Sequence, residues 1–393
     1  MSLRRPLVAI LRGNSKDQAR SAATGDDELP SQRPVADGLP RWGIVATVDE
    51  PAAVLGAWVA HHLAIGASEL HLFFDRPNPE ATALLSGIDG VILRESGEDG
   101  WKLKGGKRPG HHVQRQAYNA TRVLNENSVD WLIHCDADEF LRLSSPLAEE
   151  LATTDPRNEW LRLCVQERVW PENGEGADIF AGLFRSPLPD FAEIGAQLYG
   201  PERAARMNAG LSGHDVGKSC VRTGRGHVMN IHRPGSGGGR KRFDLRHRKS
   251  AVVELLHFNG MTRMHYIVKM LRRALIMADG LRMPSSPARK TQFETAVMRA
   301  RDPAALTEMW REAQCLTTEE AQILADLGVL NDRPTDIVAH ARAMFGDRID
   351  LSPAGFDRAL IAHEAEAMAE IYERTGFLPE SLMARDVRAD RAG

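Results

Sequence analysis

The sequence predicts an α/β protein in which a mostly parallel, Rossmann-like sheet lies between helices and is followed by a helical C-terminal extension. Segments of strand length and helix length alternate between residues 41 and 135, which is typical of parallel strands joined by crossover helices. Acidic residues follow three of these strands, at the edge where such sheets bind ligands. Helical periodicity then dominates from His257 onward.

The alternation begins with the apolar strand RWGIVATV. We expect the next helix to begin at Pro51 and to stop near Gly66, because Pro suits a first helical turn and Gly suits a helix end. A second strand, ELHLFFD, ends on Asp75. The later elements follow in the order short helix (79–85), strand GVILRE, helix HHVQRQAYNATRVLNENS, strand VDWLIHC and strand WLRLCV.

The second half of the chain is less regular. Residues 170–250 are rich in Gly, Pro, Arg and His, and residues 222–250 hold nine Lys or Arg against one Asp. Further on, the segments beginning at Thr317, Pro334 and Ser352 have the chemistry of helix starts. The predicted organisation is a flexible tail (1–40), a main α/β domain (41–265) and a helical extension (266–393).

Composition excludes several classes of function. The 50 basic and 53 acidic residues nearly balance, so nothing global favours nucleic acid as a partner. The four cysteines stand far apart without a CxxC pair, which favours free buried thiols over disulfides or zinc. No apolar run is long enough for a signal core or a membrane span, so we expect a soluble cytoplasmic protein.

The basic Gly-rich stretch around Arg240 and Arg242 has two interpretations. It is either a mobile loop that closes over an anionic ligand or a surface loop that attracts anionic lipid or polymer. The second interpretation predicts a peripheral contact with the inner face of an anionic membrane.

The most unusual stretch is DWLIHCDADEFLRL, where a strand runs into the three carboxylates of Asp136, Asp138 and Glu139. So much like charge is costly unless a cation or a set of donors lies opposite it. A metal-binding Asp-x-Asp pair, which shares a divalent ion with a diphosphate, fits the pattern best. The alternatives are a metal-dependent phosphatase with Asp136 as its nucleophile and a solvated acidic turn.

Several segments together resemble a known family. IVATVDEPAAVLGAWVAHHLAIGASELHLFFD, QRQAYNA and DWLIHCDADEFL, in this order and spacing, resemble family 2-type glycosyltransferases of the GT-A fold. The similarity is greatest to the subgroup whose signatures read EWVAHHLAIG and DWLLHLDADEF. It covers residues 42–143 strongly, while GHDVGKSCVR and HFNGMT match more loosely. One departure is Asp49-Glu50, where the subgroup usually has Asn-Glu.

The resemblance implies a metal-dependent enzyme of polysaccharide biosynthesis type. It would move a sugar from a nucleotide-diphosphate donor, by family habit a UDP-sugar, to an acceptor hydroxyl with inversion of configuration. The acceptor would be a glycan, a lipid-linked glycan or a protein. The cofactor would be Mn or Mg, bound through Asp136 and Asp138, with His257 as the expected third ligand or else a buried structural histidine.

The expected donor-binding residues each have a second interpretation. By the resemblance, Asp75 contacts the base or ribose of the nucleotide; otherwise it is a loop carboxylate. Asp49 and Glu50 either face the donor or are acidic residues favoured by the dipole of the next helix. Arg115 reaches phosphate or Glu139, or lies on a solvated helix face. The expected donor set is Asp49, Glu50, Asp75, Arg115, Asp136 and Lys218, with Lys218 reaching the diphosphate as a point charge.

An inverting transferase also needs a general base for the acceptor hydroxyl. Asp215 is the first choice because it lies in the loop that matches the later motif of the subgroup. Glu167, just past a strand, is the second choice. A non-catalytic protein that binds a nucleotide or a glycan on the same fold remains the alternative to an enzyme.

Overall fold

The computed structural model describes residues 38–95, 101, 107–172, 174, 176–237, 245–280 and 286–382. Most of the predicted tail and the basic stretch around Arg240 and Arg242 lie outside the described residues, so those two predictions remain open.

The first half of the chain forms the parallel part of the sheet. Its strands lie side by side in the order β3-β2-β1-β4, with bounds β1 (Trp42–Val48), β2 (Glu69–Phe74), β3 (Val91–Glu95) and β4 (Trp131–His134). They are connected by the helices α1 (Ala52–Ala64), α2 (Pro79–Leu85) and α3 (His112–Glu126). The predicted order of elements over this region is confirmed.

Alternation along β1 explains why helices cover both faces of the sheet. Ile44 and Ala46 pack in the same apolar cluster as Trp58 of α1, whereas Val45 packs with Val123 of α3. Successive side chains of a strand point to opposite faces, and both faces here are apolar, as in a buried parallel sheet. The predicted α/β class, with a largely parallel sheet between helices, is confirmed.

The second half of the sheet adds antiparallel strands that the sequence did not indicate. The strand predicted at residue 160 is longer than expected and continues to Pro171. The strands and short helices of this region, in chain order, are β5 (Glu139–Leu143), α4 (Leu147–Ala152), β6 (Trp160–Pro171), β7 (Leu183–Arg185), α5 (Phe191–Tyr199), α6 (Pro201–Ala204), β8 (Lys218–Arg222), β9 (His227–Val228), β10 (Gly235–Ser236) and β11 (His247–His257). Strand β8 pairs antiparallel with β4 and β6, and β11 pairs parallel with β6 and antiparallel with β5. The sheet is therefore mixed.

Helices dominate the rest of the chain, as predicted. Their bounds, with two short strands between them, are α7 (Arg263–Ala278), α8 (Pro287–Arg299), α9 (Pro303–Gln314), β12 (Cys315–Leu316), α10 (Thr318–Asp326), β13 (Leu330–Asn331), α11 (Ile337–Phe345), α12 (Pro353–His363) and α13 (Ala365–Thr375). Thr317 caps α10 in a capping box with Glu320, and the Ser352 side chain caps α12. The predicted helix starts at these two positions are confirmed.

One apolar core joins the C-terminal helices to the sheet. Ile267 and Leu271 of α7 and Trp310 of α9 are buried in the same cluster as Ile44 and Trp58. The predicted boundary between residues 265 and 266 falls inside α7. The helical extension is thus packed into the main domain as part of its core.

The cysteines and the helices bear on two further expectations. The four cysteines, all in the described part of the chain, form no disulfide, and Cys135, Cys220 and Cys315 are buried, as predicted for structural thiols. Among the residues that the structure describes, no helix is long and apolar enough to cross a membrane.

Candidate functional site

Three acidic residues lie just beyond the carboxyl ends of parallel strands. Asp49 follows β1, Asp75 follows β2 and Asp136 lies two residues beyond β4. The strands are in register, with Val48 opposite Phe74, and the Asp75 N–H donates to the Val48 carbonyl oxygen at 2.9 Å. The three residues therefore share one edge of the sheet, the edge at which α/β proteins bind ligands.

The carboxylate motif forms a tight turn between β4 and β5. The Glu139 N–H donates to the Asp136 carbonyl oxygen at 3.0 Å, and the Asp136 N–H donates to the Glu139 carboxylate at 2.9 Å. From the end of β11, the Phe258 N–H donates to the Asp138 carbonyl oxygen at 2.8 Å. These bonds fix the turn, while the side chains of Asp136 and Asp138 keep 30% and 15% of their surface exposed.

Two lysines provide the positive charge that the motif requires. Lys218 Nζ lies 2.7 Å from Asp136 Oδ2 and 3.2 Å from Glu139 Oε2, and Lys269 Nζ lies 2.5 Å from Asp138 Oδ2. Burial alone would raise the pKa of Asp136 and of Asp138, but the lysines more than reverse this and hold both pKa values below their ordinary range. Both carboxyl groups are therefore ionised at neutral pH.

Histidines form a second layer around the turn. His214 Nε2 lies 3.0 Å from Glu139 Oε1, and the His214 ring stacks on His257 with 4.9 Å between centroids. His134 Nδ1 lies 3.4 Å from the Lys218 ammonium. Burial, reinforced by the charge of Lys218, lowers the pKa of His134 to about 4, and burial lowers the pKa of His214 as well. Both imidazoles are neutral at pH 7.

Asp138 and His257 are the two expected metal ligands that lie together. His257 Nε2 is 3.7 Å from Asp138 Oδ2, and its buried Nδ1 has no hydrogen-bond partner among the described residues. One divalent ion with bonds of about 2.1 Å can bridge two ligand atoms at this spacing. The chemistry of this pair therefore fits a divalent metal.

The remaining expected metal ligand, Asp136, is engaged by other partners. Its Oδ1 accepts a hydrogen bond from Gln116 Nε2 at 2.7 Å, and its Oδ2 faces Lys218. Within the described residues, no three His, Cys, Asp or Glu side chains form a group that could hold a metal ion as they stand. A metal at Asp138 and His257 would gain Asp136 as a ligand only if its carboxylate turned away from these partners.

Asp49 and Glu50 have opposite electrostatic environments. Arg76 Nε donates to Asp49 Oδ1 at 2.7 Å, and His363 Nε2 lies 3.0 Å from the Asp49 carbonyl oxygen. Burial would raise the pKa of Asp49, but hydrogen bonds from His363 and Arg76 outweigh it and lower that pKa. Burial raises the pKa of Glu50 to about 8, and the charges of nearby Asp138 and Asp136 act in the same direction.

Asp75 is held by two arginines. Arg115 contacts both of its carboxylate oxygens, and Arg108 donates to Oδ1 at 2.7 Å. Arg115 is buried, and its remaining partners are the carbonyl oxygens of Pro109 and Gly110. The interpretations of Arg115 as a solvated helix residue and as a partner of Glu139 are therefore wrong, because its guanidinium is already used to orient Asp75.

The two expected base residues have very different surroundings. Glu167 is fully buried and accepts hydrogen bonds from Arg185 at 2.7 Å and from the N–H groups of Ser212 and Gly213 at 2.8 and 2.5 Å. These bonds favour a structural role, in which Glu167 holds the loop that carries His214. Asp215, in that same loop, is exposed and forms no hydrogen bond or ion pair with the described part of the chain.

Lys269, His214 and Gln116 contact the motif but were not predicted. Lys269 lies in a helix whose pattern, YIVKMLRRALIM, does not distinguish it from a surface lysine. His214 precedes Asp215 in GHDVGKS, so its loop was identified while its own role was not. Gln116 follows Arg115, and helical geometry alone did not indicate which of these two faces the strand end.

The fold and the site together define an α/β protein with an acidic turn, matched by lysines and histidines, at the carboxyl edge of its parallel strands. No family model matches the sequence. A search of curated proteins likewise found no relative.

Proposed function

We propose that this protein is a glycosyltransferase with a GT-A-type domain, which moves a sugar from a nucleotide-diphosphate donor to an acceptor hydroxyl. The observation that supports this most is the Asp136–Glu139 turn, with its lysines and His257, at the ligand-binding edge of the sheet. A metal-bound diphosphate needs accessible ionised carboxylates and an imidazole at a strand end, and Asp136, Asp138 and His257 could supply them. A UDP-sugar is the first donor to test.

The nucleotide part of the donor would bind near the ends of β1 and β2. Arg115 and Arg108 hold the Asp75 carboxylate in one orientation, which prepares it to accept hydrogen bonds from a base or a ribose. The Lys218 side chain has no exposed surface, so its role in this proposal is to hold Asp136 rather than to touch the diphosphate.

The diphosphate would lie against the exposed faces of Asp136 and Asp138. A divalent ion, Mn or Mg, held by Asp138 and His257 with Asp136 as a further ligand, would stabilise the negative charge of the leaving diphosphate when bound. Glu139 has a different task, because its oxygens are used by His214, Lys218 and the Asp136 N–H. It fixes the shape of the turn.

Asp215 would act as the general base. Its carboxylate takes the proton from the acceptor hydroxyl while the acceptor oxygen forms a bond to the anomeric carbon and the bond from that carbon to the diphosphate breaks. The exposure of Asp215, next to a histidine that contacts Glu139, supports this assignment over Glu167. Acceptors that suit an open site are a glycan, a lipid-linked glycan at a membrane surface, or a protein.

Calorimetry with UDP and then GDP, with and without Mn²⁺, tests the donor site. We expect Mn²⁺-dependent binding of UDP by the wild type and at least about tenfold weaker binding by Asp138→Asn, because one ligand of the diphosphate-bound ion is lost. The matched control is Asp279→Asn, which removes a carboxylate that pairs with Arg374 far from the turn. In a second stage, Asp215→Asn should retain UDP binding while kcat falls about 100-fold or more.

Other outcomes would support the alternatives. Absence of binding by either nucleotide in all conditions would contradict the transferase proposal. Trapping of a fluoroberyllate on Asp136 would then support a phosphatase, although both oxygens of Asp136 are already engaged in this structure. Nucleotide binding without turnover of any donor would indicate a binding protein.

A further inference from the structure

The two lysines of the carboxylate turn are held in different ways. Lys218 has no exposed side-chain surface and contacts two carboxylates, Asp136 and Glu139. Lys269 retains 14% exposure, and Asp138 is the carboxylate it contacts among the described residues. An ammonium that is buried between two anions is hard to remove, whereas one that faces water on one side and a single anion on the other can be released.

Lys269 also occupies the position that matters for a metal. Its Nζ is 2.5 Å from Asp138 Oδ2, the same oxygen that lies 3.7 Å from His257 Nε2. An ion bonded to this oxygen and to His257 would stand within a few ångströms of the ammonium. Two such cations repel each other strongly in a site that is largely shielded from water.

A neighbouring cation on the same helix is held by other carboxylates. Arg272 lies one turn further along α7, with contacts to Glu364 at 2.9 Å and to Asp49 at 3.8 Å. Lys269, by contrast, pairs with Asp138, 2.5 Å from its Oδ2. The ammonium is thus held mainly by one carboxylate.

We propose that Lys269 is an exchangeable internal cation, which neutralises Asp138 in the free protein and is displaced from it when a divalent ion binds. Lys218 is the permanent counter-charge of the same turn. This inference rests on the proposed donor site, since it concerns the ion that would hold the diphosphate. Under this proposal, helix α7, which lies outside the segments that resemble glycosyltransferases, directly affects the affinity for the metal.

The test is Mn²⁺ binding measured by the loss of the free-ion EPR signal, with no nucleotide or sugar present. We expect Lys269→Met to bind Mn²⁺ about tenfold more tightly than the wild type, because the ion no longer competes with an ammonium for Asp138. Arg272→Met, which removes a positive charge from the same helix without touching Asp138, should change the Mn²⁺ affinity by less than about twofold. Lys269→Arg keeps the competing cation and should bind no more tightly than the wild type.

Each other outcome overturns the inference. If Lys269→Met binds Mn²⁺ as weakly as the wild type or more weakly, the lysine does not compete with the ion. If Arg272→Met gains as much Mn²⁺ affinity as Lys269→Met, the effect comes from the total positive charge of the helix and not from the contact with Asp138. Absence of Mn²⁺ binding in every variant would also overturn it. If Lys269→Met unfolds, as judged by circular dichroism, Lys269→Gln replaces it. UDP binding is measured separately, so loss of the transferase proposal and loss of this inference give different results.

Discussion

At the scale of single residues, the site is governed by how negative charge is balanced. Asp136 and Asp138 have cationic partners and remain ionised, while Glu50 has none of comparable strength and lies near both of them. The same edge of the sheet therefore holds carboxylates that differ in protonation at neutral pH. A ligand that brings positive charge would favour ionisation of Glu50 as well.

The raised pKa of Glu50 predicts a pH-dependent stability difference. The folded-state pKa is about 8 against an ordinary value of 4.5, so the folded protein keeps this proton where the unfolded chain loses it. The stabilisation is complete below about pH 4.5 and is lost as the pH rises through 8. Relative to Glu50→Gln, the wild type should lose on the order of 2–4 kcal/mol of unfolding free energy between pH 5 and pH 8.5.

Urea unfolding at pH 5 and at pH 8.5 measures this difference. The control is Glu80→Gln, which changes an exposed carboxylate in the first turn of α2. Its unfolding free energy should differ from that of the wild type by the same amount at both pH values. A difference between Glu50→Gln and the wild type that stayed constant with pH would show that Glu50 is ionised throughout.

At the scale of elements, the loop before β8 is shaped by close backbone packing. Gly217 has a φ of +78°, and a Cβ at this position would lie 2.0 Å from the Leu163 carbonyl oxygen. Lys218 follows Gly217 directly. The close approach of the Gly217 backbone to the Leu163 backbone therefore helps to position the Lys218 ammonium beside the acidic turn. Only glycine meets both requirements without strain.

Gly217→Ala should therefore be far more harmful than a comparable change elsewhere. Gly226 has a similar φ of +70°, but a Cβ at that position would meet no other atom within 4 Å, so Gly226→Ala isolates the backbone contribution. We expect a loss of about 1–2 kcal/mol for Gly226→Ala and more than about 3 kcal/mol, or failure to fold, for Gly217→Ala. Thermal and urea unfolding of both variants measure this, and equal losses would rule out the steric contribution.

The parallel part of the fold was predictable because its signals are local. Helix α2 lies at the bounds expected from the sequence, and β1, β2 and β4 were each placed to within a few residues. Strands β7, β8 and β11 were missed because long-range pairing with β6 defines them, and their surroundings are rich in Gly, Arg and His. Strand β5 was missed because it begins inside the acidic motif.

Of the site, the sequence predicted the carboxylates at the strand ends but not the lysine that neutralises Asp138. Asp75 and Asp136 are carboxylates at strand ends, a position that sequence pattern reveals directly. Lys269 comes from a helix 131 residues after Asp138, and nothing in its local sequence indicates that distant partner. The charge of the acidic motif predicted that a cation must exist but could not identify which residue supplies it.

At the scale of the whole molecule, the C-terminal helices are part of the main core and of the site. Helix α7 buries Met264, Ile267 and Leu271 and also positions Lys269. Helices α8 and α9 also hold the loop before β8 through Ser212. Gln292 Nε2 of α8 donates to the Ser212 carbonyl oxygen at 2.9 Å, and Gln314 Nε2 of α9 donates to the Ser212 hydroxyl.

A chain that ends at residue 262 should therefore fail to fold cooperatively. It would expose the apolar surface that α7 covers, and this loss alone costs several kcal/mol against a total stability of about 5–15 kcal/mol. Urea unfolding followed by circular dichroism and tryptophan fluorescence tests this expectation. A single sharp transition in the truncated chain would show that residues 38–262 form an independent domain.

The contact between Asp49 and His363 joins positions 314 residues apart in the chain. During synthesis, the end of β1 leaves the ribosome long before α12 is translated. The contact with His363 therefore forms late, whereas Arg76 can pair with the Asp49 carboxylate much earlier. A frameshift upstream of codon 363 would remove His363 and leave the end of β1 without this contact. Translation through α12 is therefore a condition for the complete set of contacts at the ligand-binding edge.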